Sequence, residues 1–154
     1  MQLSMHLTML NSMAGTDFET ALDLHRAWGL RVLDLKNEIY DHSVEQLERA
    51  DAERAAKAIS ERNLRVHTLS TTIFWADIEQ GEAAFRARFT PDIERIIDTA
   101  HILRPRVVRL LSARTAQPGV SLSQLLETHA WLIPFYREAI DQIYEAGFKP
   151  AIEN

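Results

Sequence analysis

The 154-residue sequence contains no cysteine, which excludes a disulfide framework and any metal site built on thiolate ligands. A metal ion would therefore have to be held by oxygen or imidazole groups. The chain also has no apolar run of about 18 residues, the minimum expected of a membrane-spanning helix. Its N-terminal residues lack the basic start and continuous apolar core of a signal peptide. These absences predict a cytoplasmic protein without a membrane partner.

A surplus of basic residues is missing as well. The chain has 17 Lys and Arg against 22 Asp and Glu, a formal net charge of -5 with His neutral. Phosphate backbones bind to faces rich in Lys and Arg, so this balance argues against a nucleic-acid partner. What the sequence does contain is 46% hydrophobic and 25% charged residues, a composition typical of one globular domain with a sizeable core.

Segments of strand periodicity alternate with segments of helical periodicity along the whole chain. Strands are predicted at residues 5–10, 31–36, 64–70, 106–112 and from 149 onward, and helices at 16–28, 43–62, 90–103 and 130–146. Three helix starts carry a capping pattern: Thr16 with Glu19, Ser43 with Gln46, and Thr90-Pro91-Asp92. His25 lies on the apolar stripe of the first helix, where we expect it to pack between helix and sheet.

Three helices end in the same way, with Gly29, Asn63 or Gly147 followed by an apolar residue and a base. Regular alternation of strand and helix predicts a parallel sheet with crossover helices. An open doubly wound sheet and a closed barrel both satisfy this pattern. The turn after the first strand has a single glycine, Gly15, and no G-x-G-x-x-G pattern, which disfavours a dinucleotide-binding domain.

Polar residues share one predicted face of the sheet. The apolar strand residues predicted to face the helices are Leu33, Leu35, Val108, Leu110 and Ile152. The opposite face then carries Asp34, Lys36, Arg109 and Glu153, joined by His6 and Thr8. Barrel enzymes place polar groups inside near the carboxyl ends of their strands, so this face favours the barrel. An internal ion-pair network is the alternative. In the third strand, which contains His67, the alternation does not indicate which side chains point to the polar face.

The last seven residues predict a short fifth strand that delivers Glu153 to its own end. Pro150 is compatible with this strand because proline is tolerated near a strand's beginning. A solvated glutamate at a frayed terminus is the alternative interpretation.

Several runs resemble the sugar phosphate isomerase/epimerase superfamily, the xylose-isomerase-like TIM barrels. The resemblance rests on the runs Gly29–Lys36, Leu64–Ser70, Val107–Leu110 and Gly147–Asn154. It extends over the whole chain but covers only the first half of the family's pattern. The resemblance therefore implies an α/β fold in which residues 1–154 form a single domain, the N-terminal half of a (β/α)8 barrel, truncated in or just after the fifth strand.

In that family a divalent metal is held at the barrel mouth by a Glu ending the fifth strand and by an Asp, a His and a Glu from later strands. Glu153 matches the first ligand, and the other three would lie beyond Asn154. The resemblance implies manganese, magnesium, cobalt or zinc, a site that this chain alone would not complete, and a reaction that isomerises or epimerises a small sugar or sugar phosphate through an enediolate.

Substrate-binding residues are predicted on the same face. Lys36 and Arg109 would bind hydroxyls, a carboxylate or a phosphate, with His67 as a further candidate. Phe74 and Trp75, in the loop after the third strand, would close over the substrate and exclude water. The general acid and base stay unassigned.

Two other functions remain open. An endonuclease of the abasic-site type uses a similar barrel, but it would need a His-rich third strand and a basic groove, and here His67 stands alone. The third hypothesis is that the chain is a non-catalytic half-barrel or a fragment. A half-barrel would expose two strand edges and an inner face, so we expect a homo-oligomer or association with the missing half.

Overall fold

A computed structural model describes residues 7–154. The predicted placements of Met5 and His6 lie outside the described residues.

Five parallel strands form one sheet in the order β1-β2-β3-β4-β5. The strands are β1 (Thr8–Leu10), β2 (Val32–Leu35), β3 (Arg65–Ser70), β4 (Val107–Leu111) and β5 (Lys149–Glu153). Each strand pairs with the next one along the chain, as in a barrel, whereas a doubly wound sheet reverses its order at a switch point. The predicted strand order is therefore confirmed.

The helices of the described residues lie between successive strands. They are α1 (Asn11–Ala14), α2 (Phe18–Ala27), α3 (Arg49–Glu61), α4 (Glu82–Leu103), α5 (Leu122–Thr128) and α6 (Leu132–Glu145). Left-handed backbone follows four of them, with φ of 79° at Gly29, 54° at Asn63, 53° at Arg104 and 92° at Gly147. Gly29, Asn63 and Gly147 confirm the predicted helix stops, because glycine and asparagine adopt this backbone with less strain than other residues. No helix within residues 7–154 is long and apolar enough to cross a membrane.

The core lies between the sheet and the helices. Leu33, Leu35, Val108 and Leu110 are fully buried, as predicted. The α4 stripe packs against them through Phe89, Ile93, Ile96, Ala100 and Leu103. His25 is also fully buried, with Nδ1 2.8 Å from the Ala21 carbonyl oxygen and Nε2 3.3 Å from that of Met9. This histidine joins α2 to β1 and confirms the packing role expected of it.

Two predicted helix caps are wrong. The cap of α2 is Asp17 and not Thr16, because the Asp17 carboxylate accepts a hydrogen bond from the Thr20 amide at 2.8 Å. Ser43 begins a short 3-10 turn, Val44–Gln46, and makes no side-chain cap bond. The turn is held back onto β2 by a hydrogen bond of 2.7 Å from the Val44 amide to the Lys36 carbonyl. The long helix α3 starts only after it.

The start of α4 also differs from prediction. The helix begins at Glu82 instead of Thr90, and Pro91 lies inside it. The additional turns are fixed by burial of Phe85 and by Arg86, which binds Glu82 at 2.7 Å and Glu138 at 2.6 Å. These tertiary contacts outweigh the hydrogen bond that proline removes from the helix.

The segment before α6, predicted as a loop through residue 128, contains the helix α5. Ser121 and Gln124 form a capping box at its start. The S-x-x-Q pattern was present in the sequence and is the signal by which this helix could have been found.

Candidate functional site

The strand register brings polar residues of four strands to one face of the sheet. Asp34 pairs with Thr68, Ser70 with Arg109, and Leu111 with Glu153. Paired residues of parallel neighbours point to the same side, and so do residues two apart in one strand. Asp34, Ser70, Arg109 and Glu153 therefore share the face opposite the buried Leu35 and Val108. Thr8 joins them, because Leu10 pairs with Asp34. We call this the polar face.

A β-bulge at His67 explains why the third strand showed no clear pattern. Leu33 pairs with Val66, but the next residue, Asp34, pairs with Thr68, so His67 has no partner in β2. The bulge turns Val66 and Leu69 to the same buried side although they are three residues apart. The His67 Nδ1 lies 2.9 Å from the Thr68 hydroxyl on the polar face.

Arg109 and Glu153 form an ion pair across the ends of β4 and β5. Arg109 also donates through Nη2 to the Thr71 carbonyl at 3.3 Å, so its guanidinium spans the carboxyl ends of β3 and β5. Its side chain is 14% exposed, against 56% for that of Glu153. The Glu153 carboxylate is therefore more than half exposed, and Arg109 is the cation that pairs with it.

Asp34 is the second carboxylate of the polar face. The Ser70 hydroxyl donates a hydrogen bond to it. Burial raises the pKa of Asp34 above its ordinary value, although the Ser70 hydrogen bond and the nearby Arg109 act in the opposite direction. Sequence reasoning placed Asp34 on this face but gave it no role.

Lys36 follows β2 directly and is fixed through its backbone. Its amide donates to the Asn11 side-chain oxygen at 2.9 Å, and Asn11, fully buried, donates in turn to the Asn37 carbonyl at 2.6 Å. Among residues 7–154, no ion pair forms at the Lys36 ammonium. The structure therefore does not join Lys36 to the Arg109–Glu153 pair, and its substrate contact stays a prediction.

The aromatic pair after β3 divides between core and surface. Phe74 is fully buried, with its ring centroid 4.3 Å from that of Tyr136, so the prediction that it covers a substrate is wrong. It instead completes an aromatic cluster with Phe85, Phe89 and Phe135. Trp75 is 47% exposed, and the Arg114 guanidinium lies 4.8 Å from its ring centroid. Trp75 remains free to contact a ligand.

Glu45 is a buried carboxylate that sequence reasoning missed, because it was assigned to the start of a helix. It is 4% exposed and accepts hydrogen bonds from the Thr72 hydroxyl and, at 3.1 Å, from the Thr72 amide. Its second oxygen, Oε2, has no hydrogen-bond partner among the described residues. Glu45 thus ties the loop after β2 to the loop after β3.

No group of three or more His, Cys, Asp or Glu within residues 7–154 is arranged to hold a metal ion. Carboxylate oxygens are the donors that hard divalent cations prefer, and the polar face offers them at Glu153, which is exposed, and at Asp34. The metal-binding role of Glu153 stays a prediction.

No protein-family model matches the chain, and neither does any curated protein. Solved structures do match. The chain is similar to D-psicose 3-epimerase crystallised in the presence of D-fructose, with 12% identity and a TM-score of 0.71 over 96% of this chain and 52% of that one. It is similar to a xylose isomerase-like TIM barrel protein from Mycobacterium smegmatis in complex with magnesium, with 16% identity and a TM-score of 0.61 over 88% and 45%.

The fold is that of about half a xylose isomerase-like TIM barrel. A family 2 AP endonuclease from Brucella melitensis matches this half barrel as well, with 18% identity and a TM-score of 0.64 over 96% of this chain and 55% of that one. The chain thus spans about half the length of the structures that it matches. Because the fold hosts different chemistries, these likenesses establish the architecture alone.

Proposed function

We propose that the chain is part of a divalent-metal-dependent enzyme that isomerises or epimerises a small sugar or sugar phosphate in the cytoplasm. The observation that carries this proposal is the position of Glu153, the last residue of β5, on the polar face of a parallel half barrel. Barrel enzymes build their active sites at the carboxyl ends of the strands. The similarity to an epimerase and to a magnesium complex supports the choice of reaction and cofactor.

Glu153 would be one ligand of a manganese, magnesium, cobalt or zinc ion, with the remaining ligands supplied by a segment beyond Asn154. When bound, such an ion would stabilise the negative charge that develops on the sugar oxygens. Arg109 holds the Glu153 carboxylate through Oε2 and keeps it at the strand end. This contact orients the carboxylate before any ligand arrives.

Four residues would bind the substrate. Arg109 and Lys36 would attract its hydroxyls or phosphate, and His67 would add a polar contact from β3. Trp75 would pack its exposed ring against the sugar and limit access of water. The Arg109 contacts with Glu153 and Thr71 leave it little freedom, so its main effect on the substrate would be electrostatic.

The test replaces Glu153 in the protein encoded by the complete reading frame. Glu153→Gln keeps the shape of the side chain and removes its charge, so bound metal and turnover on a panel of ketoses should both be lost while the fold is retained. Elemental analysis, turnover assays and circular dichroism measure the three quantities. Glu145→Gln, at an exposed site on α6, is the matched control and should leave all three unchanged. A Glu153→Gln enzyme that keeps its metal and its activity would show that Glu153 is not a metal ligand.

A second candidate is an abasic-site endonuclease, which the similarity to the Brucella melitensis protein favours. The net charge of -5 and the single histidine of β3 argue against it, because a DNA-binding groove needs basic residues. Cleavage of DNA containing an abasic site, without turnover of any ketose, would select this candidate. Inertness in both assays would leave a non-catalytic half-barrel.

A further inference from the structure

The polar face offers two carboxylates in different surroundings. Glu153 is ion-paired with Arg109 and more than half exposed. Asp34 makes no ion pair among the described residues, and it accepts a hydrogen bond from the neutral Ser70 hydroxyl. Carboxyl groups that share a site in different surroundings can take different acid–base roles.

The charges that surround Asp34 come from three strands. Arg109 on β4 and His67 on β3 favour its ionised form, whereas Glu153 on β5 opposes it. The burial of Asp34 is the largest influence, and it raises the pKa of this carboxyl. On β1 the neighbouring residue is the apolar Leu10, which adds no charge.

We propose that Asp34, supported by Ser70, is the acid–base residue of the polar face and moves a proton between the two oxygens of the reacting sugar. This inference rests on the proposed function. Isomerisation turns the carbonyl into a hydroxyl and the neighbouring hydroxyl into a carbonyl, so it needs a group that carries a proton from one oxygen to the other. Asp34 is only partly buried and so keeps surface open to a substrate on this face.

Asp34 both donates a proton and recovers one in the proposed cycle. The protonated Asp34 carboxyl gives its proton to the carbonyl oxygen while a separate base takes the proton from carbon, which leaves an enediol. The Asp34 carboxylate, stabilised by the Ser70 hydroxyl and by Arg109, then takes a proton back from an enediol oxygen as the product carbonyl forms and carbon is reprotonated. Asp34 ends the cycle as it began, and no oxidant or further reactant is needed.

The first experiment measures the protonation of Asp34 in the chain by carboxyl 13C NMR over a pH series. Asp34 should titrate above free aspartate, and Ser70→Ala should move its midpoint higher, because the hydroxyl that favours the ionised form is removed. Asp17 is the internal control and should titrate below free aspartate, since it accepts a hydrogen bond from Thr20. An Asp34 midpoint at or below that of free aspartate overturns the proposal.

A second measurement uses stability and works whatever the assembly state. A carboxyl with a raised pKa in the folded protein opposes folding once pH exceeds that pKa and has no such effect when pH is low enough to protonate it in both states. The Asn side chain is always neutral. The change in Tm caused by Asp34→Asn should therefore be more positive at pH 7 than at pH 3. Asp98→Asn, exposed on α4, should change Tm little at either pH. Equal effects of Asp34→Asn at both pH values would contradict the proposal.

Turnover in the complete enzyme tests the chemical role. Asp34→Asn should lower kcat roughly 10²- to 10⁴-fold with KM little changed, and should remove one limb of the pH–rate profile, whereas Asp34→Glu should restore part of the activity. Wild-type kcat in Asp34→Asn overturns the catalytic assignment. An enzyme inert on ketoses refutes the proposed function and the reaction assigned here, while the NMR midpoint still decides whether Asp34 holds a proton.

Discussion

Glu45 is a buried glutamate, although glutamate is usually exposed, and it stabilises two loops. Its carboxylate accepts hydrogen bonds from both the amide and the hydroxyl of Thr72, and removing it would leave these two partly buried donors without an acceptor. We predict that Glu45→Ala lowers the free energy of unfolding by about 1–3 kcal/mol. Urea denaturation would measure the loss. Glu48→Ala, at a nearby exposed position, should change it by less than about 0.5 kcal/mol, and an equal effect of the two variants would contradict the tie between the loops.

The two loops that Glu45 joins follow β2 and β3, so the effect should extend to Trp75 three residues beyond Thr72. Its indole is exposed and reports on its surroundings through fluorescence. Loosening of this loop in Glu45→Ala should shift the Trp75 emission even under conditions where the protein is still folded.

At the scale of elements, Pro91 distinguishes the observed α4 from the predicted one. Inside a helix, proline removes one hydrogen bond and strains the preceding turn, whereas in the first turn it is well tolerated. Because α4 begins at Glu82 and Pro91 is exposed inside it, Pro91→Ala should stabilise the protein by about 1–3 kcal/mol. Thermal unfolding of this variant and of Pro118→Ala, in an exposed loop, would measure the difference. Destabilisation by Pro91→Ala would instead support a helix start at Thr90.

Elements whose signal is local were predictable from sequence, and those fixed by distant contacts were not. Alternating apolar residues identified β2 and β4, and Gly29 marked a helix end because its backbone is left-handed. The first turns of α4 depend on Glu138, which is 52 residues from Arg86, and no local pattern reveals that pairing.

The candidate site divides in the same way. The faces of Arg109 and Glu153 follow from strand alternation and were predicted, whereas their ion pair depends on the register between β4 and β5. Phe74 was misassigned because a solvent-facing aromatic and a core aromatic look alike in a loop sequence. Its ring contacts with residues of α4 and α6 make it part of the core, and these residues lie further along the chain: Phe85, Phe89, Phe135 and Tyr136.

At the scale of the whole molecule, an apolar groove lies beside the outer strand β5. The groove has a volume of about 390 Å³, and α5, α6 and β5 line it. Its exposed apolar residues include Leu122 at 71%, Ile133 at 43% and Ile152 at 48%. We predict that the 154-residue chain self-associates or binds the other half of the barrel, because an open strand edge beside an apolar surface attracts partners.

Sedimentation velocity over a range of concentrations would test this prediction. Ile152→Lys places a charge in the groove and should weaken association through it. Trp28→Lys removes an exposed aromatic directly after α2 and serves as the matched control, since Trp28 lies outside the groove. Association should fall for Ile152→Lys alone. A wild-type chain that is a monomer at every concentration and melts cooperatively would contradict the prediction.

The bulge at His67 has a consequence for anyone who transfers residues between barrels. Position-by-position substitution from a barrel whose third strand is regular would be correct up to Val66 and displaced by one residue afterwards. Every donor side chain intended for the interior would then point at the helices, and every core residue would point inward. A graft onto this chain must therefore skip His67, or delete it and accept a strand with different curvature.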